Sequence, residues 1–375
     1  MKRKRSVVTS RRTAARSLAP PLTARPARRP ASVPGAGSRP ARDIGASLAP
    51  EPAPTRAVDL SVDLAPDRAG SLRLAHPLLV AAGGAGYGVE LLAAPVARPA
   101  AIVTRGTTLR AQPGAEPPRM AAMRAGLVSA LGAPNPGIAR VLELYGSRWS
   151  ASGIPVVLAL CADEAAGFAA LARAADAQPG VAGLELHLGC PDMRRGRRPR
   201  SPDPSRDPDA AVAVVRAVRL ETSLPVIAKL GANAPDAGAV ASAAVDAGAD
   251  AIAAIDGVPA SAIDRDRRRP GLGAGWGMLS GPAVAPVALR VVGEVAAAVR
   301  VPVIGIGGVA TLDDVLAFLM AGASAVGLAT STLGDPGLPG RLAQELEAWC
   351  RAEGLASPSE IVGAAMPRRG GRRRP

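Results

Sequence analysis

The feature that most limits how this chain can fold is a regular alternation of short apolar runs with helical patterns. Strand-like runs fall at 77–82, 100–104, 154–160, 183–188, 224–230, 251–256, 301–306 and 323–329. Helical patterns cover 136–149, 163–175, 208–220, 235–247, 282–299, 312–321 and 338–353. Runs this apolar are buried on both faces, which calls for a parallel sheet covered by helices. Eight is the number of strands that closes a barrel. An open doubly wound sheet is the competing architecture. Against it, no GxGxxG follows the first strand, and no acidic residue stands about 20 positions later. The expected fold is therefore α/β, a (β/α)8 barrel, with a small β-hairpin before it around Pro66-Asp67-Arg68-Ala69-Gly70. Helix punctuation agrees: Asp236 in a first turn, Asp335-Pro336 before the last helix, and Thr311 as N-cap with Asp314 at the capping-box position.

Charge separates the barrel from its ends. The chain has 45 Lys+Arg against 31 Asp+Glu, a net charge of +14. Residues 1–56 hold 13 of those basic residues and only Asp43 and Glu51 on the acidic side; residues 367–375 add five arginines. The stretch between them is close to neutral. Three regions are expected: a disordered Arg/Pro-rich extension over 1–56, the barrel over 57–366, and a disordered basic tail over 367–375. Such ends bury too little apolar surface to offset the entropy of ordering. Basicity that belongs to the ends, with almost no aromatics for base stacking, speaks against the barrel as a nucleic-acid binder and favours solvated extensions. No apolar run reaches the roughly 20 residues of a membrane span, and no secretory signal is evident. Cys161, Cys190 and Cys350 are odd in number, widely spaced and without a CxxC pair. This suits a reducing cytoplasm and leaves no ligand set for structural zinc or an iron–sulfur cluster in this chain.

In a barrel the reactive groups follow the C-terminal ends of the strands. The fourth strand ends in Leu184-Glu-Leu-His-Leu-Gly-Cys-Pro-Asp192. Cys190 is thus placed as a general base or nucleophile, with Arg194 and Arg195 near enough in sequence to lower its pKa; Cys161 and Cys350 read as small buried hydrophobes. Residues 193–207 read as a lid. Strand five ends in Lys229, either a snorkelling lysine or, the preferred reading, a functional cation at the mouth. Strand one ends in glycine-dense Ala82-Gly83-Gly84-Ala85-Gly86-Tyr87-Gly88, and strand two in Thr104-Arg105-Gly106-Thr107. Gly307-Gly308 after strand seven and Ala329-Thr330 after strand eight, with Ser280-Gly281-Pro282 at a helix start, form the usual phosphate seat of a barrel.

From about Val58 to Ala365 these motifs resemble the class 1 dihydroorotate dehydrogenases, in the NAD-linked branch. The stretches that carry the likeness include Ala101-Ile-Val-Thr-Arg-Gly-Thr-Thr-Leu109, Pro117-Pro118-Arg119, Asn135-Pro136-Gly137, Cys190-Pro191, Leu279-Ser-Gly-Pro-Ala283 and Pro302-Val-Ile-Gly-Ile-Gly-Gly308. The resemblance implies FMN, with Ala82, Gly83, Arg105, Thr107, Lys229, Ile255, Gly281, Gly307, Gly308, Ala329 and Thr330 as its contacts. It implies Cys190 as the base that takes a proton from dihydroorotate while hydride goes to flavin N5, yielding orotate for pyrimidine biosynthesis. Lys229 would stabilise negative charge on the reduced flavin. A partner subunit carrying FAD and an iron–sulfur cluster, and a homodimer or heterotetramer, are implied in the same way.

The departures cluster at the substrate. Ser129, His187, Asp192 and Asp256 stand where the family has asparagines that read the pyrimidine, Arg105 replaces a lysine, Gly189 a serine, and Ala159 an asparagine after strand three. Asparagine offers donor and acceptor, whereas an ionised aspartate only accepts. Two aspartates cradle an anion poorly, and Arg105 offsets part of that charge. The same chemistry on another ring or amide substrate, or a non-catalytic barrel subunit, are the competing expectations.

Overall fold

The computed structural model describes residues 57–93, 98–176, 178–189 and 203–367. Cys190, Asp192, Arg194 and Arg195 lie outside the described residues, as do the 1–56 extension and the tail beyond 367. Eight strands close a barrel: β1 Leu78–Val80, β2 Ile102–Val103, β3 Val156–Leu160, β4 Gly183–His187, β5 Val226–Leu230, β6 Ala251–Ala254, β7 Val303–Ile306 and β8 Ala325–Leu328. Each pairs in parallel with the next, and β8 returns to β1. Eight helices follow them in turn: α1 Val89–Ala93, α2 Ile138–Ala151, α3 Ala165–Asp176, α4 Pro208–Arg219, α5 Ala237–Asp246, α6 Ala285–Ala298, α7 Leu312–Met320 and α8 Leu338–Ala352. The expected strands and helices are all present; α1 is an addition.

Period-two alternation divides each strand between two cores. Leu158, Leu160, Leu184, Leu186, Val226 and Ala228 face outward and pack with Val215, Ala244, Val292 and Phe318 of the helices. Ala81, Ala101, Val157, Ala159, Ile227, Ala253 and Ile304 fill the lumen. Ala159 is thus inside β3 rather than after it, at the register of Glu185. Caps stop the helices where the composition indicated. Asp207 Oδ1 accepts from the Ala210 amide at 2.9 Å, Asp236 Oδ1 accepts from the Ala239 amide at 2.8 Å, and Thr311 with Asp314 forms the capping box; each such cap contributes ~1 kcal/mol.

The N-terminal hairpin, Val62–Asp63 paired with Arg73–Leu74, closes the floor. Leu64, Leu72 and Leu74 join the lumen core, and Arg68 Nε donates to Asp250 Oδ1 at 2.7 Å just before β6. At the other end the insertions after β2 and β6 form a four-stranded antiparallel sheet absent from the sequence-based expectation. It runs Val258–Ala260, Gly277–Ser280, Gly126–Ser129, Met120–Met123. Its strands are short and its outer strand half-exposed, so no apolar run marks them. Among the described residues no helix is long and apolar enough to cross a membrane.

Candidate active site

β4 brings the chemistry inside. With Leu184 and Leu186 committed to the helix side, Glu185 and His187 must point into the lumen. Lys229, at the register of His187 on β5, joins them. Glu185 Oε1 lies 2.7 Å from His187 Nε2 and 3.5 Å from Lys229 Nζ; the ammonium is also 3.8 Å from Asp256 Oδ1. Glu185 is wholly buried and Lys229 is 2% exposed. Burial alone would push the Glu185 carboxyl up, but the Lys229 ammonium and the His187 hydrogen bond hold it below its ordinary value. Burial alone would pull Lys229 down, and Glu185 with Asp256 hold it above its ordinary value. Both groups are therefore ionised. Lys229 is consequently a paired buried cation and not a snorkelling one. Glu185 Oε2 is buried and accepts no hydrogen bond among the described residues.

Of the other expected residues, Arg105 sits on the turn after β2, its amide donating to Gly86 O at 2.7 Å. Thr107 bridges to Leu160 and its Oγ1 is 3.3 Å from the Tyr87 hydroxyl. Asp256 donates its amide to Leu230 O, and Ile255 donates its own to Ile306 O. Ser129 lies on a strand of the mouth sheet, in register with Met278 and Met120. Ala82 and Gly83 form the turn that ends β1, with Gly83 at φ 94°.

A second assembly is made of backbone. A β-carbon on Gly308 (φ 85°) would lie 2.9 Å from Ala285 N and 3.0 Å from Gly281 O. One on Gly307 (φ 134°) would lie 2.7 Å from Ala288 Cβ, and one on Gly281 would lie 2.8 Å from Gly126 Cα. Thr330 Oγ1 donates to Ser280 Oγ at 2.8 Å. Four loops thus meet with glycines at the closest contacts around the turn that leads into α6, where a helix N-terminus favours an anion.

Three contributors escaped the sequence reading. Glu185 was visible only as a charge inside Leu-Glu-Leu-His-Leu; the signal was period-two alternation placing it inward. Cys161 is buried, as expected of a small hydrophobe, but in the reaction face: a β-carbon on Gly106 would lie 2.5 Å from its Sγ and 3.8 Å from His187 Nδ1. Ser205 is buried against Gly189, with Cβ and Oγ both 3.0 Å from where a β-carbon at 189 would stand. It fills the space that the family's serine would need.

A closed eight-stranded parallel barrel with close-packed glycine turns after its last strands and a buried, paired lysine at the end of β5 defines a class: the (β/α)8 barrels, whose sites lie at the C-terminal ends of the strands. Within that class the chain belongs to the dihydroorotate dehydrogenase family, whose model matches residues 68–349. It is 40% identical over 297 residues to the dihydroorotate dehydrogenase B (NAD(+)) catalytic subunit of Desulforudis audaxviator, covering 78% of this chain and 95% of that one. The proteins of the same name from Geobacter sulfurreducens and Geotalea uraniireducens are 39% and 38% identical, each covering 82% of this chain and 98% of the relative.

Proposed function

We propose that this chain is the catalytic subunit of an FMN-dependent dihydroorotate dehydrogenase, oxidising (S)-dihydroorotate to orotate in pyrimidine biosynthesis. The observation that carries this reading is that one barrel combines a buried Glu185–Lys229 pair at the ends of β4 and β5 with close-packed glycines at Gly281, Gly307 and Gly308. The cradle suits a phosphate because β-carbons at Gly281 and Gly308 would collide with backbone and one at Gly307 with the Ala288 side chain, so glycine amides stay open there. The lysine suits a ring that gains negative charge, because it is already paid for by a buried carboxylate. Ala82, Gly83, Arg105, Thr107, Lys229, Ile255, Gly281, Gly307, Gly308, Ala329 and Thr330 are assigned to FMN, which when bound supplies the two-electron acceptor.

Cys190 is assigned as the base that takes the proton from one ring carbon while the adjacent carbon gives up hydride, leaving the double bond of orotate. Arg105 neutralises the substrate carboxylate; Ser129, His187, Asp192 and Asp256 surround the ring. The barrel over 57–366 carries this activity, with 1–56 and 367–375 as basic extensions outside it. The relatives' names as catalytic subunits support a partner subunit; we assign it electron transfer through FAD and an iron–sulfur cluster, with this chain as a homodimer or in a heterotetramer, in the cytoplasm.

The test is an absorption spectrum of the purified protein followed by anaerobic dihydroorotate. A flavin spectrum that bleaches with dihydroorotate, and fails to bleach in Cys190→Ser, is the expected result. A protein that retains no flavin under gentle purification, or a flavin untouched by dihydroorotate, overturns the proposal.

A further inference from the structure

Glu185 and His187 are two residues apart on β4 and share the lumen side, so their side chains lie edge to edge. The carboxylate beside Lys229 is ionised and can only accept a hydrogen bond. His187 Nε2, at 2.7 Å from it, therefore carries the hydrogen. The remaining nitrogen, Nδ1, looks the other way, toward the Arg105–Gly106 turn: a β-carbon on Gly106 would lie 3.8 Å from it. His187 is 8% exposed, so the ring borders the mouth without being sealed from it. The charged and titratable groups around the pair are Lys229 on β5, Asp256 after β6, Arg105 after β2, Tyr87 after β1 and Cys161 after β3.

We infer that Glu185 is a positioning residue for substrate recognition: it fixes His187 as the Nε2–H tautomer, so that Nδ1 accepts a hydrogen bond from a ring N–H of the reduced pyrimidine. The inference rests on the function proposed above. An asparagine at this place could turn its amide and present either a donor or an acceptor. A neutral imidazole whose Nε2–H is committed to a buried carboxylate presents a lone pair at Nδ1. His187 thereby makes an N–H on the ligand ring a requirement, and Glu185 enforces it from behind without touching the substrate. The negative charge of Asp256 works in the same direction, since it too accepts only.

The chain has two histidines, His76 and His187, which makes the imidazoles directly observable. The experiment is histidine-selective 15N NMR of the full-length flavoprotein, with His187→Asn identifying the signals. Expected are an Nε2–H His187 with a bare Nδ1, an Nδ1 shift on adding orotate, and loss of the single tautomer in Glu185→Gln. An Nδ1–H His187 in the wild-type protein overturns the inference without need of any variant. Orotate affinity, read from the flavin absorbance, gives the second arm. Glu185→Gln is expected to weaken orotate about 10-fold when His187 is present and less than about 2-fold in the His187→Asn background. An equal penalty in both backgrounds shows a merely structural Glu185 and overturns the inference. The two proposals fail separately. Orotate that perturbs the flavin but not His187 Nδ1 removes the inference alone. A flavin that ignores orotate, with a His187 Nδ1 that responds to uracil, removes dihydroorotate as substrate and leaves the inference standing.

Discussion

The two halves of the candidate cleft are built from different materials. Around Gly281, Gly307 and Gly308 the surface is backbone, shaped by positive φ angles and by close approach of four loops. Around Glu185, His187, Lys229 and Asp256 it is side chain, held together by charge, with Glu185 and Lys229 buried and His187 and Asp256 at the edge. A close-packed glycine cradle tolerates no added atom, and its small neighbours Ala285 and Ala288 are part of the fit. A buried charge cluster tolerates substitution at one member only if the others adjust. This difference fits the sequence reading, in which the cradle motifs resemble the family while Ser129, His187, Asp192 and Asp256, proposed to surround the substrate, depart from it. One half can vary in concert; the other cannot vary at all.

The largest effect that would break the contrast comes from the charged half. Lys229→Met strands the Glu185 carboxylate and is expected to cost ~3–5 kcal/mol in urea unfolding, as removal of one partner of a buried pair does. Adding Glu185→Gln should recover part of that loss. If Lys229→Met unfolds at the wild-type urea concentration, the charge account of this face is wrong. In the backbone half, Gly308→Ala is expected to cost ~2 kcal/mol, from positive φ and the contact with Ala285 N, and to abolish flavin retention on gel filtration. Retention of full flavin would show that the cradle is not where the phosphate sits. A smaller effect is expected where the halves meet β4: Gly189→Ser should cost ~1 kcal/mol in thermal unfolding by pressing on Ser205, and Ser205→Gly should relieve it. Additive losses in the double variant would refute that exchange.

The mildest test is acidity. The folded-state pKa of Glu185 lies below its ordinary 4.5, so the unfolded chain takes up that proton first. Its contribution is full above pH 4.5 and declines as pH falls through the folded value. Lys229 lies above its ordinary 10.5, so its contribution is full below pH 10.5 and is lost as pH rises through the folded value. Urea midpoints against pH should therefore fall at both extremes, with the acid limb shallower in Glu185→Gln. An unchanged acid limb in that variant would sever the link between the pair and stability.

The barrel was legible because its strands are continuous apolar runs that nothing else would bury, and its helices carry caps at their starts. Thr311 took up the N-cap position its type suggested, while Asp236, read as a first-turn residue, is itself the N-cap of α5. The mouth sheet was not legible. Met120-Ala-Ala-Met and Gly126-Leu-Val-Ser have little strand character, and their pairing with Gly277–Ser280 joins segments far apart in the chain. Lys229 could be read from its isolation in an apolar strand. Glu185 could not be weighed until the register of β4 against β5 set it beside that lysine. Ser205 carries no local signal at all; its part depends on a glycine 16 positions earlier in sequence.

Ser129 sits on an interior strand of the mouth sheet, its register held from both sides by Met120 and Met278. A residue held like that can exchange its side chain while its Cα stays in place. The sheet is therefore a rigid display on which the outer wall of the cleft can be rewritten one residue at a time. If Ser129 faces the substrate as proposed, its side chain can be exchanged without renegotiating the barrel beneath it.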